Sequence, residues 1–251
     1  MSEKARPAGP VAGLAASFRF LTVLPVPGAG RGEGLPWAPA WFPVVGLAVG
    51  APVALVLASP LPVLPRAALA LALWIVITGA LHEDGWMDTL DAAFLSGSPE
   101  GRREILKDPR VGAYGVTGSG LSLLLRFGAL TVVAPAAVLV ASVVGRWFMA
   151  LSLAMARPGS ASGLGRRFTS HGRPFWASLA ALGCLFLVSG WIPLPGMAMA
   201  VLLAGAVALP WALFLSRRFS GLTGDGHGAV GHLAEVAALL AFVPLAGAPA
   251  G

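Results

Sequence analysis

The chain has 251 residues, 57% of them hydrophobic and 11% charged, with a formal net charge of +6 and a mean hydropathy of +0.80. A soluble domain carries roughly 25% charged residues, so this composition excludes an ordinary water-soluble globule and points to a polytopic membrane protein. The 33 glycines and 21 prolines follow no three-residue period and are interrupted by long Leu, Val and Ala runs, which excludes collagen-like and disordered chains.

The first stretch, MSEKARPAGPVAGLAASFRF, is basic but lacks an apolar core followed by a small-residue cleavage site. Segment 1–36 is therefore expected to be retained as a cytoplasmic or interfacial piece. The run FRFLTVLPV at 18–26 is too short to span a bilayer and stops at Pro25 and Pro27. A bilayer helix needs about 20 mainly apolar residues, and on that rule the expected spans are 41–58, 66–81, 116–138, 139–155, 176–191, 197–215 and 233–248. The expected fold is an all-α, polytopic membrane helical bundle of about seven transmembrane helices, with a range of about six to eight. The whole chain, 1–251, is taken as one integral-membrane catalytic domain.

Seven spans place every basic cluster on one side. Lys4, Arg6, Arg19 and Arg31 precede the first span, and Arg102, Arg103, Lys107 and Arg110 follow the second. Arg157, Arg166, Arg167 and Arg173 follow the fourth, and Arg217 and Arg218 follow the sixth. The positive-inside rule makes that side cytoplasmic and accounts for the net positive charge without nucleic acid. Arg126 and Arg146 fall inside spans, where an arginine snorkels or faces a protein interior. Cys184 stands alone in an apolar run and forms no intrachain disulfide.

The chemistry is concentrated in three polar stretches. LHEDGWMDTLDAAF, at 81–94, puts Asp84, Asp88 and Asp91 at spacings of four and three. On a helix these share one face, where three like charges repel unless a cation offsets them. Mg²⁺ takes hard oxygen ligands and is commonly shared between one or two carboxylates and substrate phosphates. Glu83 points off this stripe, and His82 is a candidate to orient a carboxylate or a phosphate. In RREILKDPRVGAYGVTGSG, at 102–120, Lys107 and Arg110 bring positive charge, and the glycines offer backbone donors to an anionic group. In RRFSGLTGDGHGAVGHLAE, at 217–235, Thr223 offers a hydroxyl and Asp225 is a further ligand or general base. His227 and His232 lack the compact spacing of a zinc site.

In combination these stretches resemble cobalamin synthase, the adenosylcobinamide-GDP ribazoletransferase family. The resemblance extends to FLTVLPVP at 20–27, WFPVVGLAVG at 41–50, REILKDPRVGAYGV at 103–116 and GLTGDGHGAVGHLAEV at 221–236, in the family's order. It implies that Asp84, Asp88 and Asp91 hold Mg²⁺ and act in catalysis together with Asp225. It also implies that Lys107, Asp108, Arg110, Gly112, Tyr114, Gly115, Thr223, Gly224 and Glu235 bind substrate and phosphate. Glu83 and Trp86 depart from the apolar residues expected at their positions.

The implied reaction moves the cobinamide phosphate from its GDP adduct to alpha-ribazole or alpha-ribazole 5'-phosphate, releasing GMP. The implied location is the cell membrane, the inner one in a Gram-negative cell, with the active site facing the cytoplasm. Membrane lipid is the expected environment, and a homo-oligomer or an association with other late cobalamin-pathway enzymes is left open. The corrinoid's bulk calls for a wide cavity, for which Trp86, Tyr114 and Phe94 are candidate walls, although aromatics at a membrane edge also serve as anchors. Two other readings use the same acidic residues. A CDP-alcohol phosphotransferase would carry arginine after its DG opening, where this chain has Asp84-Gly85-Trp86-Met87-Asp88. A transporter would place its charges near mid-membrane.

Overall fold

A computed structural model describes residues 9–26, 34–106, 108, 110–157 and 173–243. Among them the chain is an α-helical bundle with no strand. Its helices are α1 (Pro10–Leu21), α2 (Ala38–Leu57), α3 (Val63–Thr78), α4 (Leu81–Phe94), α5 (Pro99–Ile105), α6 (Ala113–Leu130), α7 (Pro135–Met155), α8 (Pro174–Val188), α9 (Leu194–Arg218) and α10 (Gly224–Leu240).

Each of the seven expected spans coincides with a helix, but the helices are not equivalent. Among the described residues only α2 with its preceding 3-10 turn, α7 and α9 are long and apolar enough to cross a membrane; α3 and α4 would make a fourth span as a broken pair. The apolar run from 116 to 155 divides earlier than hydropathy suggests. Its turn lies at residues 131–134, because Pro135 lacks an amide hydrogen and its fixed φ suits the first position of α7. The last expected span, 233–248, is corrected too. Helix α10 starts at Gly224, buries His227, His232 and Glu235, and packs against α7, α9, α4 and α6. Its many small residues score as apolar, yet they serve close packing inside the bundle. Residues 244–251 lie outside the described set.

The centre of the bundle is α2 against α7. Gly46 faces the backbone of Ser142 so closely that a Cβ would collide with it, the small-residue contact that lets membrane helices approach. Helix α10 crosses α7 the same way, where Gly231 meets Gly145. The outer surface belongs to α8 and α9, which expose Leu182, Phe186, Leu187, Leu202 and Leu213. Trp176 and Trp191, near opposite ends of α8, are exposed as interfacial anchors would be.

Charged loops gather at one end. Arg103 donates to the carbonyl of Phe219, Arg102 to that of Arg218, and Arg218 to that of Ala93, while the amide of Leu222 donates to the carbonyl of Arg157. Arg173 stacks 3.5 Å over the Trp37 ring, just ahead of α2. The loops after α4, α7 and α9 thus share one end with the entry to α2, as the distribution of positive charge suggests.

The acidic helix does not continue α3. It leaves at an angle of 84°. Gly79 ends α3 in the left-handed conformation, φ 61°, and its amide donates to the carbonyls of Ile75 and Val76. Ala80 follows at φ 56°. A Cβ at Gly79 would be forced into the left-handed region and would meet Val23. Gly79→Val should therefore cost about 1–2 kcal/mol, measurable as a lower thermal midpoint in detergent.

Candidate active site

Helix α4 holds the acidic stripe at the charged end. Asp84 is exposed, Asp88 half-buried and Asp91 buried. Asp84, Asp225 and Asp91 all bear electrostatically on the Asp88 carboxylate. Asp225 comes from the first turn of α10, and Gly85 brings it there. A Cβ on Gly85 would lie 3.0 Å from the Asp225 carbonyl oxygen and 3.3 Å from its Cα, so only glycine lets the two backbones meet. Thr223 caps α10 by accepting from the Gly226 amide at 3.1 Å, and the exposed Gly224 separates it from Asp225. Burial foremost, with the charge of Asp84 adding to it, raises the Asp225 carboxyl above its ordinary pKa, as suits a proton acceptor.

Asp91 is used differently from its two neighbours on the stripe. Its Oδ2 accepts from the Gly112 amide at 2.7 Å and its Oδ1 from the Gly115 amide at 2.8 Å. It thus caps the start of α6 from another helix, satisfying amides that α6 cannot satisfy itself. This corrects the expectation that the glycine amides of the GAYG stretch face a substrate phosphate. They face a carboxylate of the same chain, and a Cβ at either glycine would strike it.

Of the expected phosphate-binding cations, Lys107 lies outside the described residues. Arg110 is exposed and holds Asp108 with bonds of 2.6 Å and 3.0 Å. Hydrogen bonds from Arg110 pull the Asp108 carboxyl down to about 2. Exposed pairs of this kind contribute little to stability, so Arg110 can leave Asp108 for a stronger anion. Glu235, expected to contact substrate, is instead 2% exposed. It lies between Arg146, which it pairs with directly, and Arg126 at 3.3 Å.

The sequence left Arg126 and Arg146 open to snorkelling or to a structural or substrate-facing ion pair, and the structure shows ion pairs whose partners the sequence did not name. Arg126 of α6 also pairs with Glu83 of α4 and lies 4.6 Å over the Trp74 ring of α3. Glu83 is therefore off the acidic stripe but central to the bundle. The one advance signal was two arginines inside apolar helices, which demand buried partners. His82 is buried beside this network, and neither of its ring nitrogens has a partner. The other two histidines among the described residues have separate serine partners: His227 meets Ser152 at 2.8 Å and His232 meets Ser122 at 2.6 Å. They do not converge on a metal.

A groove of about 480 Å³ opens beside the stripe, between α4, α6 and α10. Trp86, Phe94 and Tyr114 all line it, together with Ser122 and His232.

The cobalamin-5-phosphate synthase family model matches residues 13–243, spanning all three polar stretches. The chain belongs to that family. It is therefore an enzyme of the cobalamin synthase type. A relative from Roseiflexus sp. (strain RS-1) is 35% identical over 243 residues, covering 92% of this chain and 89% of its own. One from Desulfitobacterium hafniense (strain Y51) is 34% identical, covering 91% and 95%, and one from Deinococcus radiodurans is 38% identical, covering 89% and 82%. All three are named adenosylcobinamide-GDP ribazoletransferase. No solved structure matches the chain.

The donor set suits Mg²⁺ in kind. Asp84, Asp88 and Asp225 are hard oxygen donors crowded together, with no cationic side chain bonded to them among the described residues. No three acidic, histidine or cysteine groups form a finished cage among those residues. Mg²⁺ does not need one, because it usually keeps several waters and takes its remaining ligands from substrate phosphates.

Proposed function

We propose that this enzyme transfers the adenosylcobinamide phosphate moiety from adenosylcobinamide-GDP to alpha-ribazole, or to its 5'-phosphate, with release of GMP. The observation that carries the reading is the meeting of α4 and α10 at Gly85, which sets Asp225 against Asp84 and Asp88 within the matched family region. Mg²⁺ bound by Asp84 and Asp88 would offset the diphosphate charge and the charge developing on the departing GMP oxygen. Asp225, with its raised pKa, accepts the proton of the attacking hydroxyl. That hydroxyl attacks the cobinamide-side phosphorus, and the bond to the GMP oxygen breaks. Arg110 and Lys107 hold phosphate oxygens, Arg110 by exchanging Asp108 for the substrate. Asp91 acts at one remove, by fixing the start of α6 beside the reacting groups.

The site faces the cytoplasm in this reading. The gathering of charged loops at one end supports that orientation. The family match leaves little ground for a CDP-alcohol substrate, and the placement of the carboxylates at the charged end argues against a transport pathway.

Purified protein in detergent or lipid should release GMP from adenosylcobinamide-GDP only when both the ribazole acceptor and Mg²⁺ are present. Chromatographic detection of GMP and of the cobalamin product checks both requirements together. Acceptor-independent release, or full turnover in EDTA, would sink the reading.

A further inference from the structure

We propose that the groove between α4, α6 and α10 seats the flat, apolar base of the acceptor nucleoside, and not the corrin ring. The assignment rests on the ribazole-transfer reading above. Its volume of about 480 Å³ falls within the range of roughly 300–1,000 Å³ that encloses a drug-sized ligand. A corrin macrocycle with its amide arms and axial nucleoside is far too bulky for it, whereas a bicyclic base with part of its ribose fits.

The walls have the matching chemistry. At about 100° per residue, α4 turns Trp86, Leu90 and Phe94 to one face, about 130° round the helix from the aspartates, with Phe94 the nearest of the three to Asp91. Trp86 stacks against His232 with ring centres 5.6 Å apart and planes at 23°. Phe94 and Tyr114 lie 5.6 Å apart further along the groove. The polar points are few. Ser122 and His232 meet at 2.6 Å, and the buried indole N–H of Trp86 has no acceptor. A Cβ at Gly118 would collide with the Leu90 side chain, so the glycine lets α4 and α6 close together and Leu90 forms part of the groove wall. An apolar aromatic bicycle supplies a flat surface that matches these walls. A lipid acyl chain does not.

The position is also right for transfer. Tyr114 lies between Gly112 and Gly115, whose amides hold Asp91. The Phe94–Tyr114 end of the groove is thus the end next to Asp91, and the proposed seating puts the sugar of the base at that end.

The test uses Leu125→Trp, an exposed position on the groove wall that can be filled without disturbing the core. Trp86→Ala and Trp86→Phe are added, and folding is checked by size exclusion. KM is measured separately for alpha-ribazole and adenosylcobinamide-GDP, and Kd for alpha-ribazole alone by calorimetry. Leu125→Trp and Trp86→Ala should raise the acceptor KM and Kd by about tenfold or more, the size of one lost base–aromatic stack. Trp86→Phe, which keeps the ring and loses the N–H, should fall between wild type and Trp86→Ala. The donor KM should not move. Leu213→Trp, in a separate groove of α7 and α9, should change neither constant.

An unchanged acceptor Kd in Leu125→Trp, with wild-type turnover intact, would overturn the groove assignment alone. A shift in donor KM instead would assign the groove to the corrinoid, and a shift only in phospholipid requirement would assign it to lipid; both overturn the proposal. Acceptor binding that Leu125→Trp weakens, in a wild-type protein that forms no product, would keep the groove and defeat the transfer reading.

Discussion

Asp88→Asn is expected to reduce turnover by about 10²–10³-fold, the usual cost of removing one group that stabilises transition-state charge, while leaving the thermal midpoint unchanged or higher. The opposite signs follow from its surroundings. Asp84, Asp225 and Asp91 all press on the Asp88 carboxylate, so neutralising it relieves repulsion in the resting protein. On the proposed mechanism the same charge would draw Mg²⁺ and the diphosphate in the working enzyme. Asp91→Asn should behave differently, losing stability as well as rate, because Asp91 holds the Gly112 and Gly115 amides at the start of α6. Parallel measurement of GMP release and thermal unfolding in one detergent separates the two roles. A lower midpoint with unimpaired turnover in Asp88→Asn would make Asp88 a structural residue.

Glu235→Gln should destabilise the bundle by about 3–5 kcal/mol, because removing one partner of a buried ion pair leaves the other charges uncompensated. Glu235 faces Arg146 and Arg126, and Arg126 also holds Glu83. Two arginines and two glutamates therefore tie α4, α6, α7 and α10 together in balanced charge. The balance makes a sharper test possible. Arg146→Met together with Glu235→Gln leaves Arg126 paired with Glu83, so the double variant should be less destabilised than the sum of the single changes. Thermal midpoints of the three variants, with the yield of monodisperse protein, decide it. Strict additivity would mean that Arg146 and Glu235 do not act on one another.

Much of the helical framework was visible in the pattern of apolar runs, because a run long enough for a bilayer is a local property. The start of the last helix was not, since α10 begins at Gly224, in a glycine-rich stretch that reads as a loop. The bend before α4 was half visible. Gly79 marks a helix end, whereas Ala80 carries no signal for its left-handed conformation. The spacing of Asp84, Asp88 and Asp91 showed a shared helix face. It could not show that the Gly112 and Gly115 amides, from another helix, would occupy Asp91. Arg126 and Arg146 announced buried partners without naming them, since Glu83 and Glu235 become neighbours only when four helices pack. The role of Gly85 depended in the same way on a backbone from the far end of the chain.

The sharp turn between α3 and α4 has a consequence for the energetics of the acidic helix. If α3 stands across the bilayer, a helix leaving it at 84° runs along the membrane surface instead of into it. Asp84, Asp88 and Asp91 then sit at nearly one depth in the bilayer, and what separates their surroundings is burial by the protein, from exposed Asp84 to buried Asp91, instead of a gradient from headgroup to hydrocarbon. On the proposed reaction a charged diphosphate would lie along Asp84 and Asp88 without any part of it being pushed toward the hydrocarbon, and products would leave sideways along the same plane.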